Sequence, residues 1–404
     1  MTSAAATGGG GRDALARAAL YLGGFLGPFG GGVLVVLIPE LQGVFHASAA
    51  QVTAAITAYV LPFAALQLVS GTLGERLGRA RTIRVAYVTY ALTSFGAAAA
   101  TTIAPFLLFR ALQGASNAFT SPLLLAALAD AAPLDRLGRT MGTFASVQTA
   151  GMVMAPLCGG LIGAIDPRLA FAVPGVVALL LAAAPLPPGA RAAGRAPARL
   201  RAAFNRQSGA VAVAGLLAFM AINGIAFLVS LLGADRFGLD ATERGLVLAG
   251  FGLSGVLAGR PAGALVDRIG PRRVLVAGAL ASGAMVALVG LAGGVAALAA
   301  TWALAGAAST LSWAALNTLA VQSAPANRGG AISVVGAFKF AGAALAPLAW
   351  LPIYMWHAEV AFALAGAAGA AIALIVLLLR QPPGRPGRDA ATARAQVAAA
   401  THHA

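Results

Sequence analysis

Charge is what this sequence has least of. Only 10% of its 404 residues are Asp, Glu, Lys or Arg, against roughly 25% in an average soluble domain. The acidic share is the smaller, 12 against 27 basic residues. Asp13, Glu40, Glu75, Asp130, Asp135, Asp166, Asp235, Asp240, Glu243, Asp267, Glu359 and Asp389 all lie at the ends of apolar runs or between them. Such a chain cannot dress a water-soluble surface. With 59% hydrophobic residues and a mean hydropathy of +0.86 it reads as a polytopic membrane protein. Cysteine is nearly absent, and Cys158 alone excludes an intrachain disulfide. His46, His357, His402 and His403 lack metal-ligand spacing. No nucleophile–base pair or nucleotide-binding loop marks an enzyme, and no cofactor is expected.

Long apolar runs fill the space that charge leaves. A spanning helix needs about 20 apolar residues, and on that ruler there are twelve runs. The first half gives 18–39, 48–70, 83–102, 105–129, 140–164 and 169–186; the second gives 209–232, 244–262, 274–293, 296–322, 331–351 and 360–379. The predicted organisation is a tail at 1–17, a six-helix bundle at 18–186, an Arg-rich linker at 187–208, a second bundle at 209–379 and a tail at 380–404. The first run follows a Gly- and Ala-rich stretch without a cleavable signal, so it is expected to be retained as a span.

Twenty-six of the 27 basic residues are Arg, and their placement is lopsided. If the N-terminus is inside, 22 fall on inner segments and only Arg168, Arg236 and Arg244 on outer ones. That asymmetry predicts both termini in the cytoplasm. It also accounts for most of the net charge of +15, which removes nucleic acid as the expected partner.

The chain repeats itself. Gly71-Thr72-Leu73-Gly74-Glu75-Arg76-Leu77-Gly78-Arg79-Ala80-Arg81 returns as Gly263-Ala264-Leu265-Val266-Asp267-Arg268-Ile269-Gly270-Pro271-Arg272-Arg273, 192 residues later. Both copies read as a short charged loop at the membrane surface, where glycine permits the reversal.

Six plus six runs, with this Gly-x-Leu-x-acid-Arg-x-Gly-x-x-Arg loop after the second and eighth, resembles the major facilitator superfamily. The resemblance implies an all-α membrane fold of twelve helices in two pseudo-symmetric six-helix bundles around a central site. Within the fourth run, Arg110-Ala111-Leu112-Gln113-Gly114 resembles the motif of proton-coupled members. In the fifth, Gly151, Ala155, Pro156, Gly159 and Gly160 resemble the Gly-x-x-x-Gly-Pro-x-x-Gly-Gly motif of drug:proton antiporters, with Ala155 standing where Gly is usual. Read physically, those small residues share a helix face that admits a close neighbour, and Pro156 can kink the run into a hinge. Ordinary close packing is the alternative.

Arg110 and Lys339 sit within runs, where a charge is costly and marks a candidate site. Glu40, at the outer end of the first run, is expected to pair with Arg110 and to release it on protonation; the alternative is an exposed carboxylate at a helix lip. Lys339 either snorkels to the inner interface or lines the cavity and meets an anionic group. The resemblance further implies an inner-face lock built from Gly71, Glu75, Arg76, Gly78, Arg79 and Asp130, echoed by Asp267, Arg268 and Gly270. Glu75 stands where the family more often has Asp. Cation exporters of the family often carry a carboxylate in the first run, where this chain has Gly30-Gly31-Gly32-Val33, so neutral, zwitterionic or anionic solutes are favoured. Phe29, Asn117, Gln148, Asn223, Phe227, Trp313 and Asn317 are candidate cavity residues. The expected function is proton-coupled efflux of small, drug-like amphipathic compounds from a bacterial inner membrane, by a monomer in the lipid bilayer. The alternatives are a metabolite carrier of the same fold and, more distantly, a non-transporting sensor.

Overall fold

In the computed structural model of the chain, residues 7–131, 137–186, 205–323 and 328–378 are described, and all regular structure among them is helical. The linker from 187 to 204 and the tail beyond 378 lie outside the described residues. In order, the α-helices are α1 (Thr7–Gly32), α2 (Ile38–Phe45), α3 (Ala49–Leu77), α4 (Arg79–Ala99), α5 (Ile103–Asn117), α6 (Thr120–Ala131), α7 (Leu137–Gly163) and α8 (Leu169–Ala183). They continue with α9 (Arg206–Ala218), α10 (Ala226–Phe237), α11 (Ala241–Ile269), α12 (Pro271–Gly290), α13 (Val295–Ser323), α14 (Arg328–Trp356) and α15 (Ala358–Leu378). Helix α1 begins inside the stretch read as an N-terminal tail.

Among the described residues, nine helical stretches are long and apolar enough to cross a membrane. The other three runs are the Arg-started α4, the broken pair α5–α6 and the short α8. Each run is therefore one crossing, whole or interrupted. Lipid offers no hydrogen-bond partner to a bare peptide group, so an uninterrupted helix is the default.

The repeated loop is much shorter than its sequence suggests. Helix α3 continues through Gly71 to Leu77, and the break is Gly78 alone, at φ +92°. The second copy does the same, with α11 ending at Ile269 and Gly270 at φ +87°. A side chain at such a φ would be strained. The glycines that matter for the reversal are thus the last of each motif, Gly78 and Gly270, and Gly71 and Gly263 are helical.

The two halves repeat in packing as well as in sequence. Helix α1 lies on α7 as α9 lies on α14; α3 on α5 as α11 on α13; α4 on α8 as α12 on α15. The halves meet crosswise, α3 on α14 and α7 on α11. Glycines set the close contacts. A Cβ on Gly114 would come within 1.9 Å of the Tyr59 carbonyl oxygen, and one on Gly306 within 2.1 Å of that of Phe251. Both members of the second pair lie 192 residues after the first. Gly151 against Phe25 and Gly342 against Leu216 form another such pair. Between apolar helices in lipid, close approach and dispersion take the place of hydrophobic burial.

Substituting Gly114 or Gly306 by Ala should therefore lower the thermal midpoint in detergent. An overpacking cost of about 1–3 kcal/mol is expected for each. Gly263→Ala, where the added methyl meets nothing within 4 Å, should be neutral or stabilising.

Candidate functional site

Three runs are interrupted, and the interruptions frame the site. The first run passes from α1 through a 3₁₀ turn, Val33–Val36, into α2, with Pro39 at the start of α2. The fourth breaks between Asn117 and Thr120, where the Ser116 hydroxyl donates to the Gln113 carbonyl (2.8 Å) and that of Thr120 to the Asn117 carbonyl (2.8 Å). The seventh opens into a π-helical turn, Phe219–Asn223, and the Asn223 amide donates to the Ala218 carbonyl at 3.2 Å. Side chains thus serve backbone groups that the broken helices release. A π turn in a helix frequently marks a functional position.

Arg110 lies wholly buried on α5. One of its terminal nitrogens donates to the Gly30 carbonyl at 3.1 Å and to Gln113 Oε1. Gln113 passes the chain on, its amide donating to Ser94 Oγ at 2.6 Å. The guanidinium lies 4.3 Å from the centroid of the Tyr59 ring, and the Tyr59 hydroxyl takes a hydrogen bond from the Asn117 amide at 3.0 Å. Arg110 Nε and Nη2 have no hydrogen-bond partner among the described residues. Burying an ion costs several kcal/mol even after relaxation. Hydrogen bonds from a charged group return roughly 1.5–3 kcal/mol each, and a desolvated cation–π contact about 2 kcal/mol. The cation is supported, with capacity left over.

Glu40 is not its partner. The Glu40 carboxylate, on α2, accepts from Arg244 Nη2 at the start of α11, and so joins the two halves. Arg244 is nearly buried, and its other bonds run to the carbonyls of Leu239 (2.7 Å) and Val36 (3.0 Å). The expected Glu40–Arg110 pair fails because the 3₁₀ turn carries the first run on to α2, which packs against α10 of the other half. By sequence Arg244 counts with the outer arginines, at the first residue of the eighth run, and has no assigned partner. The signal that could have found it is Asp240-Ala241-Thr242-Glu243, whose capping box starts α11 at Ala241 and puts Arg244 inside the first turn.

At the opposite end, Arg79 donates to Asp130 at 2.7 Å, within one half. The Glu75 side chain lies outside the described residues. Arg76, Asp267 and Arg268 are exposed and form no side-chain bond among the described residues. Arg272, which sequence reasoning passed over, donates to the Val376 and Leu377 carbonyls at the end of α15. A cation at that end is favoured by the helix dipole.

The small residues of α7 divide between two neighbours. Gly151 and Gly159 face the first run, and Ala155 lies under Gly32. A Cβ on Gly160 would come within 2.3 Å of the Ala241 carbonyl oxygen, and one on Gly245 within 2.6 Å of that of Pro156. Gly160 and Pro156 therefore lie on the seam between halves.

The candidate cavity residues separate. Asn223 and Trp313 line a crevice beside Phe219 and Ser309, and Ser309 Oγ donates to Asn223 at 3.2 Å. Lys339 Nζ lies 4.8, 4.4 and 4.4 Å from the ring centroids of Phe219, Trp313 and Phe340. Phe227 instead is completely buried in the core, at the start of α10 beyond the break at Gly224–Ile225. Phe29 is buried against Phe25, and Asn117 belongs to the Arg110 network. Gln148 and Asn317 are half-buried, with no hydrogen bond from either side chain among the described residues.

Two repeated helical halves, meeting crosswise around interrupted helices, define a multi-pass helical membrane fold. The family model described as Major Facilitator Superfamily matches residues 20–243 and again 211–402. The chain belongs to that superfamily. It is 34% identical over 142 residues to the uncharacterized MFS-type transporter EfpA of Mycobacterium tuberculosis, covering 35% of this chain and 27% of EfpA. It is 30% identical over 130 residues to the tetracenomycin C resistance and export protein of Streptomyces glaucescens, covering 32% of this chain and 24% of that protein. The chain thus matches about a quarter of the length of each relative. Its fold matches the xylose transporter XylE of E. coli with a TM-score of 0.72 at 15% identity, over 93% of this chain and 99% of XylE.

Glu40→Gln and Arg244→Gln should each destabilise the protein by roughly 1–3 kcal/mol, because each leaves a buried polar partner unmatched. The double variant should lose less than the sum of the two. Denaturant or thermal unfolding of the four proteins in one detergent checks this.

Proposed function

We propose that the chain is a proton-coupled exporter of small amphipathic, antibiotic-like compounds. It works by alternating access in a bacterial cytoplasmic membrane, with both termini in the cytoplasm. The observation that carries this reading is the Glu40–Arg244 pair, an acid–base link between halves whose acid is about a quarter exposed and so within reach of solvent protons. Protonating Glu40 turns the pair into a buried, uncompensated cation. That state is costly, and parting the halves at this end relieves it. The arginine distribution puts the Glu40 end outside, so the more acidic external face drives the opening.

Arg110 joins this event to the middle of the membrane. It holds the Gly30 carbonyl while Arg244 holds that of Val36, so both cations grip the interrupted first run. The proton thus shifts the balance between two conformations through its different affinity for each. Gly160 and Pro156 supply the hinge on the seam, and Arg79 with Asp130 secures the inner end of the first half. The name of the Streptomyces relative, a resistance and export protein, supports the outward direction and the drug-like class.

The test is reconstitution in liposomes with an imposed pH gradient, following lumenal pH as neutral, anionic and cationic antibiotics and metabolites are added. A substrate-dependent proton flux is expected, abolished in Arg110→Ala and reduced at least tenfold in Glu40→Gln. Uptake of a labelled metabolite down its own gradient, with no proton flux for any compound, would make this a facilitator instead.

A further inference from the structure

Lys339 is the chain's one lysine, and the mechanism above does not use it. It stands on α14, eleven residues in from Arg328, with three aromatic rings around its ammonium. Its three N–H groups donate no hydrogen bond among the described residues. The residue as a whole is half-buried, and its ammonium shares Phe219 and Trp313 with the lining of the crevice. The acidic residues of the chain all lie at run ends or beyond, so no carboxylate at this depth can neutralise it. A strongly hydrated ammonium held in this way keeps unused capacity for an anionic partner.

Three further features shape that partner. Phe219 and Trp313 meet edge to face at 5.5 Å, and the π turn brings Phe219 and Asn223 to the same wall. The crevice is otherwise lined by apolar and small polar groups, so a flat aromatic body entering it would part Phe219 from Trp313 and lie between them. A ladder of rings joins it to the other buried cation. Lys339 lies on Phe340, Phe340 meets Phe63 edge to face at 4.7 Å across the seam, Phe63 stacks on Tyr59 at 6.5 Å, and Tyr59 carries Arg110. Two cations with no acid within the apolar runs make the interior positive from both halves.

We infer that the carried compound is an amphipathic anion, an acidic group on a flat aromatic body, whose acid pairs with Lys339 while Phe219 and Trp313 hold its ring. This rests on the export reading for direction only; the binding itself does not depend on proton coupling.

The probes are anthraquinone-2-carboxylate, its neutral carboxamide and its trimethylammonium counterpart. Each is titrated calorimetrically into the full-length protein in phosphatidylcholine nanodiscs, whose headgroups carry no net charge. The carboxylate should bind at least tenfold more tightly than the amide, and the cation not measurably. Lys339→Gln should cost the carboxylate tenfold or more and leave the amide unchanged, while Lys339→Arg retains most of the affinity. If Lys339→Gln elutes as aggregate, Trp313→Ala is used instead and should weaken both the carboxylate and the amide. Equal or tighter binding of amide or cation, no binding of any probe, or unchanged carboxylate affinity in Lys339→Gln overturns the inference. Discs with one-third phosphatidylglycerol should give the same affinity within twofold. A tenfold loss there would make a lipid headgroup the occupant and overturn the assignment to a carried compound. Proton flux without anion selectivity would sink this inference and spare the export reading, and anion binding without flux would do the reverse.

Discussion

The structure depends on how closely one helix backbone can approach another where water is absent. Lipid competes with side chains for apolar contact on equal terms, so large residues gain little by facing a neighbouring helix. Glycine removes the obstacle. Gly114 on Tyr59, Gly151 on Phe25 and Gly160 on Ala241 each place helix backbone where any side chain would collide with a carbonyl. Two of these contacts recur in the second half, and the third, with Gly245 on Pro156, forms the seam. Contacts of this kind are firm but carry no long interlocking side chains, which suits surfaces that must slide or rock without being rebuilt.

Within that frame the polar groups divide by depth. Within the apolar runs there are cations without acids: Arg110, with two nitrogens unpartnered among the described residues, and Lys339 among rings. Acid–base pairs stand at the ends. Arg244 with Glu40 ties the halves together, and Arg236 with Glu359 fastens two crossings of one half, beside Tyr354 on Asp235. The arrangement leaves the interior electropositive, and the proposed function gives the control of access to the pairs at the ends.

Much of the fold was legible because the bilayer restricts the options. Length and hydropathy mark twelve runs, and the 192-residue offset marks two halves that the glycine contacts then reproduce. The interruptions were not legible. Nothing in the apolar stretch around Phe219 to Asn223 distinguishes a π turn from an α-helix, and that turn lines the crevice with Asn223 while Phe227, beyond the break, is buried. The length of the repeated loop misled for a related reason: glycines and charges are compatible with a loop, yet helix α3 continues to Leu77. For the candidate site, the cations were visible as charges within apolar runs, but their partners were not. Glu40 was assigned to Arg110 because both stand near the same end of neighbouring runs. It meets Arg244 across the seam, and a pairing between halves leaves no trace in local spacing.

The account's central claim is that the halves move as units about the α3–α14 and α7–α11 seams, and that Glu40 on Arg244 holds one end shut. The most direct measurement is a pair of spin-label distances in the protein with Cys158→Ser. One pair spans the halves, Gly43→Cys with Leu246→Cys. The other lies within the first half, Gly43→Cys with Leu108→Cys. Adding Glu40→Gln should lengthen or broaden the first distance and leave the second unchanged. A first distance that stays fixed, or a second that shifts equally, would contradict the account.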